Sequence, residues 1–295
     1  MDTTDRPPAH TGAVRLPGVP AALALSCHPG PVVAVTALVT ALAVSSGPDS
    51  GRWALVATAV LTGQLSVGWC NDAHDALRDA EAARPGKPVA RGSVGRQVVW
   101  GAAFTALFLC AALSFACGAA AGAVHLTGVV AAWAYNLKLK ETVVSWLPYV
   151  VGFGSLPCLV ALSLPGRPWP AWWAVAAGAL LGAAAHLGDV LPDIEADLRA
   201  GVRGLPQRLG PARTRLLLPV PLVAATAVLV LGPAGAPGGR GVAALCGVAL
   251  LAVVMTSVCA GPRPAGAWRK AALAGTVVVA ATDVALLLAR GAEIT

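Results

Sequence analysis

Asn71, Asp72, Asp75 and Asp79 close a long, nearly uncharged run, in the stretch GWCNDAHDALRDAEAARPGKPVARG (68–92). Asp189, Asp193 and Asp197, with Glu195 among them, close another, in DVLPDIEADLRAGVRGLPQRLG. Laid over one another, Asn71 meets Asp189, an offset of 118, and Asp75 meets Asp193 and Asp79 meets Asp197. Gly86, Pro88 and Gly92 meet Gly204, Pro206 and Gly210 without a gap. On a helix, positions i, i+4 and i+8 lie along one face. Like charges at that spacing repel by roughly 0.2–0.5 kcal/mol per pair on an isolated helix. Near hydrocarbon each charge costs on the order of 2.5–3.5 kcal/mol at mid-membrane. Such a face needs cations. One acidic helix end could pair with loop arginines. Two in the same register favour a hard divalent ion, and oxygen ligands of this kind suit Mg²⁺, which keeps waters and bridges to phosphate.

The basic residues that follow fit this chemistry. Lys87 and Arg91 come after the first carboxylate run, Arg203 and Arg208 after the second, and Lys138 and Lys140 sit in WAYNLKLKE. Carboxylate, metal and Lys/Arg together bind a diphosphate and stabilise it as a leaving group. Each basic residue also has a plainer use in setting topology or meeting lipid headgroups, above all Arg96, Arg213 and Arg215. His74 and His186 lie near the acidic faces, each alone, and read first as packing or supporting residues. No His/Cys spacing suggests zinc.

The elements that position these groups are membrane helices. Hydrophobic residues make up 57% of the chain, charged residues 12%, and mean hydropathy is +0.72; a soluble domain carries roughly 25% charged residues. The sequence predicts an all-α membrane protein with about nine spans, at 20–46, 53–72, 97–117, 120–137, 143–164, 169–190, 213–232, 241–260 and 269–290. Residues 1–19 read as a polar cytoplasmic tail without a signal-peptide core, and 20–295 as a single transmembrane domain. With that tail inside, only Arg52, Arg167, Arg240 and Arg290 of the 21 Lys and Arg fall outside. This asymmetry supports a multi-pass cell-membrane protein with both Asp-rich segments on the cytoplasmic side. It also accounts for the net charge of +7 without nucleic acid. The 118-residue repeat implies two related four-helix halves plus one extra helix, with the site where the halves meet. The seven cysteines sit mostly inside apolar runs and read as small packing residues. Pro192, inside the second carboxylate run, should kink or end the sixth span.

These motifs resemble the UbiA superfamily of intramembrane prenyltransferases. Its N-D-x-x-D-x-x-x-D pattern is complete as Asn71, Asp72, Asp75 and Asp79. Its D-x-x-x-D pattern stands as Asp193 and Asp197, followed by the basic GVRGLPQRLG. The resemblance implies two Mg²⁺ ions holding a polyprenyl diphosphate, with Asp72, Asp75, Asp193 and Asp197 as catalytic carboxylates. Asn71, Asp79 and Asp189 would complete the metal set. Diphosphate departs, an allylic carbocation forms, and a lipophilic acceptor, aromatic or quinone-like, attacks it. Tyr135 would contact the carbocation or acceptor, although a tyrosine near a helix end also serves as an interface anchor. Members acting on 4-hydroxybenzoate carry an Arg near the start of the first helix. Here LSCHPGPVV has His28 before Pro29, so a carboxylate-bearing acceptor is not expected. Lys87 replaces the usual Arg and loses bidentate geometry. A terpene cyclase of the same superfamily, with no acceptor, is the alternative. A transporter between inverted repeats fits less well, because these repeated motifs face the same side.

Overall fold

The computed structural model describes residues 18–47, 49–81, 87–260 and 266–295, without the side chains of 258–260 and 266–273. The expected cytoplasmic tail lies outside the described residues save Gly18 and Val19. So do Arg84 and Gly86 of the first basic loop. Among the described residues there is helix and no strand. In chain order the helices are α1 (Val19–Ser26), α2 (Pro29–Ser45), α3 (Ser50–Glu81), α4 (Arg96–Ala116) and α5 (Ala119–Leu137). A 3₁₀ turn, Leu139–Glu141, leads to α6 (Leu147–Ser163), α7 (Trp172–Val190) and the short α8 (Ile194–Arg199). The chain ends with α9 (Leu205–Leu217), α10 (Pro219–Leu231), α11 (Gly239–Ala260), α12 (Gly266–Ala289) and a 3₁₀ turn, Gly291–Glu293.

Helix occurs in each of the nine predicted runs. By length and apolarity four helices can cross a bilayer alone: α3, α4, α7 and 239–257 of α11. The number is six if the bent pairs α1/α2 and α9/α10 each make one crossing, a coarser count than nine. Large apolar side chains point outward, among them Phe104, Phe108 and Phe115 on α4 and Leu250 and Val253 on α11. A surface this apolar suits lipid rather than water.

Two predicted spans are broken. The run 20–46 bends by 61° between α1 and α2. Pro29 disfavours helical geometry in the residue before it, and His28 takes the left-handed conformation, φ 59° and ψ 68°, which is uncommon for a side-chain-bearing residue. The run 213–232 begins earlier, at Leu205, and bends by 47° before Pro219. Pro219 and Pro221 remove two helical donors there. Gly210 interrupts α9 with φ 79°, and its repeat partner Gly92 has φ 71°, so both matched glycines hold left-handed backbone.

Pro192 acts as expected. Helix α7 ends at Val190, and the chain turns through 191–193 before α8. The predicted single face through Asp189, Asp193 and Asp197 is therefore split, because a proline cannot donate to the turn before it. The first motif keeps its face, since α3 runs unbroken to Glu81.

The core centres on α6, whose residues from Gly154 to Ser163 are all buried, packed against buried residues of α2, α3 and α7. Two close contacts set the entrance of the chain. Gly68 of α3 abuts the carbonyl of Cys27, where a Cβ would collide, and the Trp69 indole N–H donates to the Leu23 carbonyl at 2.8 Å. They fix the α1/α2 bend, and with it His28, on the helix that carries the first carboxylates. Farther along, Asp283 of α12 is fully buried and lies 2.5 Å from the Thr226 hydroxyl of α10. Cys27, Cys70, Cys110, Cys117 and Cys158 are buried as expected. Cys246 instead faces outward from α11, and the Cys259 side chain is outside the described residues.

Candidate functional site

The last turns of α3 present Asn71, Asp75 and Asp79 along one side, with Asp72 beside them. The turn after α5 comes down on that side. Lys140 is only 7% exposed, and its Nζ lies 2.6 Å from both carboxylate oxygens of Asp75. His74 Nδ1 is 3.1 Å from Asp75 Oδ1, and Arg78 Nη1 is 3.5 Å from the same oxygen. Asn71 Nδ2 is 3.4 Å from Asp75 Oδ2 and donates to Asn136 Oδ1 at 3.2 Å. Asn136 in turn donates to the Val67 carbonyl at 2.9 Å, which ties α5 to α3. Glu141 accepts from Arg78 at 2.8 Å and from Lys138 at 3.1 Å. Slight burial pushes the Glu141 carboxyl up, but those donors, Lys138 first, hold it below its ordinary value.

Asp72 is 1% exposed. Lys87 Nζ stands 3.0 Å from its Oδ1 and 3.9 Å from Asp79 Oδ2. Neither Asp72 oxygen receives a hydrogen bond of good geometry. The same Lys87 ammonium is 3.0 Å from His28 Nε2 and so donates to that imidazole.

The second segment is organised from α6 and α9. The Tyr149 hydroxyl donates to Asp189 Oδ2 at 2.7 Å. Tyr149 meets Tyr135 edge-on with ring centres 5.1 Å apart, and both rings pack on His186. His186 Nε2 lies 3.1 Å from the Ser145 hydroxyl, which also accepts the Leu205 N–H at 3.0 Å. Asp197 Oδ2 accepts from the buried Gln207 amide at 2.9 Å. Asp193 stays on the exposed turn. Tyr135 packs on Tyr149, which holds Asp189, and its neighbour Asn136 holds Asn71, so the two segments converge around this tyrosine.

Of the six basic residues expected near diphosphate, Lys87 and Lys140 sit on the carboxylates. Lys138 is 75% exposed and turned to Glu141. Arg91, Arg203 and Arg208 lie on the exterior, and the Arg208 guanidinium donates to the Arg203 carbonyl at 2.8 Å. Sequence reasoning passed over Arg78, Asn136, Tyr149 and Gln207. Tyr149 had a faint signal, being one of two tyrosines in the chain. Replacing it by Phe removes one hydrogen bond to a charged group, a loss of about 1.5–3 kcal/mol. Tyr149→Phe should raise the KM for a diphosphate-bearing substrate while leaving the fold intact; an unchanged KM would make the hydroxyl irrelevant to the site.

The donor set is all oxygen. Among the described residues no three His, Cys, Asp or Glu side chains converge on one point that could hold an ion. Ions here would take carboxylates singly or in pairs and complete their shells with water or substrate oxygens, which is the habit of Mg²⁺. The Asp72 oxygens, deeply buried and without good donors, fit such a cation.

Comparison with known proteins adds to this geometry. The model of the UbiA prenyltransferase family matches residues 32–281. The bacteriochlorophyll synthase 33 kDa chain of Cereibacter sphaeroides is 33% identical over 190 residues. That match covers 54% of this chain and 56% of the relative, about half of each. A UbiA homologue from Archaeoglobus fulgidus, solved with GPP and Mg²⁺, superimposes with a TM-score of 0.67 at 16% identity, covering 92% of this chain and 100% of that one. The apo UbiA homologue from Aeropyrum pernix gives 0.60 at 17% identity, over 95% and 99% of the two chains. At such identities the likeness is one of fold.

Proposed function

The chain belongs to the UbiA prenyltransferase family, and from that premise we propose that it is an intramembrane, Mg²⁺-dependent transferase. It moves a polyprenyl group from its diphosphate to a lipophilic acceptor, aromatic or quinone-like. The observation that carries this reading is the pairing of Lys140 with Asp75 and Lys87 with Asp72, facing Asp189 across Tyr135 and Tyr149. The bacteriochlorophyll synthase likeness and the GPP- and Mg²⁺-bound homologue support it. The same reading takes nine helices as crossings, in two related halves plus one, within one domain over 20–295. It places the protein in the cell membrane with both carboxylate segments cytoplasmic.

Asn71, Asp72, Asp75, Asp79, Asp189, Asp193 and Asp197 would hold two Mg²⁺ ions between them, each ion taking these groups singly or in pairs. When bound, Mg²⁺ supplies positive charge to the departing diphosphate. Lys87 and Lys140, beside Asp72 and Asp75, would add ammonium groups to the same oxygens. The allylic C–O bond breaks with its electron pair going to diphosphate. Tyr135 offers an aromatic ring beside the resulting cation. The acceptor supplies the pair for the new bond and releases a proton.

Membranes containing the protein should release diphosphate from geranyl diphosphate or a longer homologue only with Mg²⁺. EDTA should abolish release and added Mg²⁺ restore it. Release unaffected by EDTA would sink the reading. The absence of an arginine at the place of His28 favours one second reading, a cyclase that needs no acceptor. A hydrocarbon or terpene alcohol formed from the prenyl diphosphate alone would select it.

A further inference from the structure

Lys140 and Lys87 occupy two places at once in the scheme above: on the carboxylates, where the structure puts them, and on the diphosphate, where catalysis uses them. An Mg²⁺ ion sits about 2.0–2.1 Å from its oxygens. The Lys140 ammonium, 2.6 Å from both oxygens of Asp75, stands where an ion chelated by that carboxylate would go. The other contacts of Asp75, with His74, Arg78 and Asn71, leave those oxygens little further capacity. Lys87 stands between Asp72, 3.0 Å from its Oδ1, and Asp79, 3.9 Å from its Oδ2.

We infer that Lys87 and Lys140 are exchangeable counter-ions, so that divalent metal and diphosphate bind this site together rather than one after the other. The inference rests on the transferase reading and deepens it. Metal arriving alone must evict an ammonium from a buried carboxylate and leave that ammonium without an anion. Leaving a buried charge uncompensated is among the costliest events in a protein. Diphosphate arriving alone finds both ammonium groups already held by Asp72 and Asp75. When both arrive, metal takes the carboxylates and the freed ammonium groups take phosphate oxygens. Each ligand prepares the place of the other, and the coupling is reciprocal. In the resting state the lysines keep Asp72 and Asp75 neutralised at the membrane surface.

The test uses the full chain purified in detergent, with Mn²⁺ standing for Mg²⁺ and inorganic pyrophosphate as the anion. Lys140→Met keeps the stem and removes the charge. It should bind Mn²⁺ alone more tightly than wild type, by about 10-fold, within the usual range of such couplings. The same variant should bind labelled pyrophosphate more weakly at saturating Mn²⁺. Opposite signs are the signature, since simple damage to the site would weaken both. Lys87→Met should repeat the pattern and decides the matter if Lys140→Met does not fold. Mn²⁺ affinity unchanged or weakened in the folded variants overturns the inference. No prenyl donor or acceptor enters the measurement. The binding signs can therefore fail in an active transferase, and a protein that turns over no prenyl diphosphate fails the transferase reading whatever those signs are.

Discussion

Asp75→Asn lowers turnover of a prenyl diphosphate by about 10²–10³-fold, the usual loss when one preorganised electrostatic group is taken from a transition state. The amide keeps the shape of the side chain, its contact with Asn71 and its packing. It removes the charge that Lys140, Arg78 and His74 surround. It also strands the buried Lys140 ammonium, which costs about 3–5 kcal/mol of stability when one partner of a buried pair is removed. Asp193→Asn is the cleaner companion. Asp193 is exposed on the turn after α7, so its stability cost should stay within about 0.5 kcal/mol. A matching loss of turnover there reads function alone. Steady-state turnover in membranes, set beside thermal unfolding in detergent, separates the two quantities. Wild-type-like turnover in either variant would remove its carboxylate from the proposed metal site.

Gly68→Ala should be among the most damaging glycine substitutions within the described residues. The added methyl group meets a backbone carbonyl, that of Cys27, and not the yielding end of a side chain. Relief requires the α1/α2 bend to move away from α3. Overpacking of this kind costs typically 1–3 kcal/mol. The displacement also pulls His28 off Lys87 and stretches the Trp69–Leu23 hydrogen bond. We expect a lower unfolding midpoint and a raised donor KM together. Gly101→Ala provides the control, because a Cβ there meets nothing within 4 Å. A Gly68→Ala protein indistinguishable from that control would show that the bend is not held by this contact.

The first carboxylate segment was legible because nothing in it interrupts a helix. Spacing alone gives the face that α3 carries. The second was half legible: Pro192 announces a break, but where Asp193 and Asp197 go after a break depends on what catches the chain. Ser145 catches it through Leu205, 60 positions away, while Gln207 holds Asp197 from 10 positions on. Lys138 and Lys140 could not be ranked from WAYNLKLKE. The helix ends at Leu137, Lys138 takes φ −153°, and the 3₁₀ turn that follows sends one lysine to the exterior and the other onto Asp75. The six distributed basic residues were read as equals because charge has no address in a sequence. Tyr149 was missed for a related reason. It sits in an apolar helix, and its partner Asp189 lies forty positions on. The apolar runs gave the helices well, whereas the two broken spans show that Pro and Gly inside such runs decide direction as much as tolerance.

The Asp283–Thr226 pair has a consequence for how the chain is built. A carboxyl-bearing segment offered alone to the lipid phase carries an insertion cost of up to about 2.5–3.5 kcal/mol at the bilayer centre. Helix α12 meets its hydroxyl partner only on α10, synthesised some way before it. The last helix therefore enters as a dependent of an earlier one. Its integration should be coupled to the closing of the α10–α12 seam, and Thr226→Ala would leave the Asp283 carboxyl without that partner.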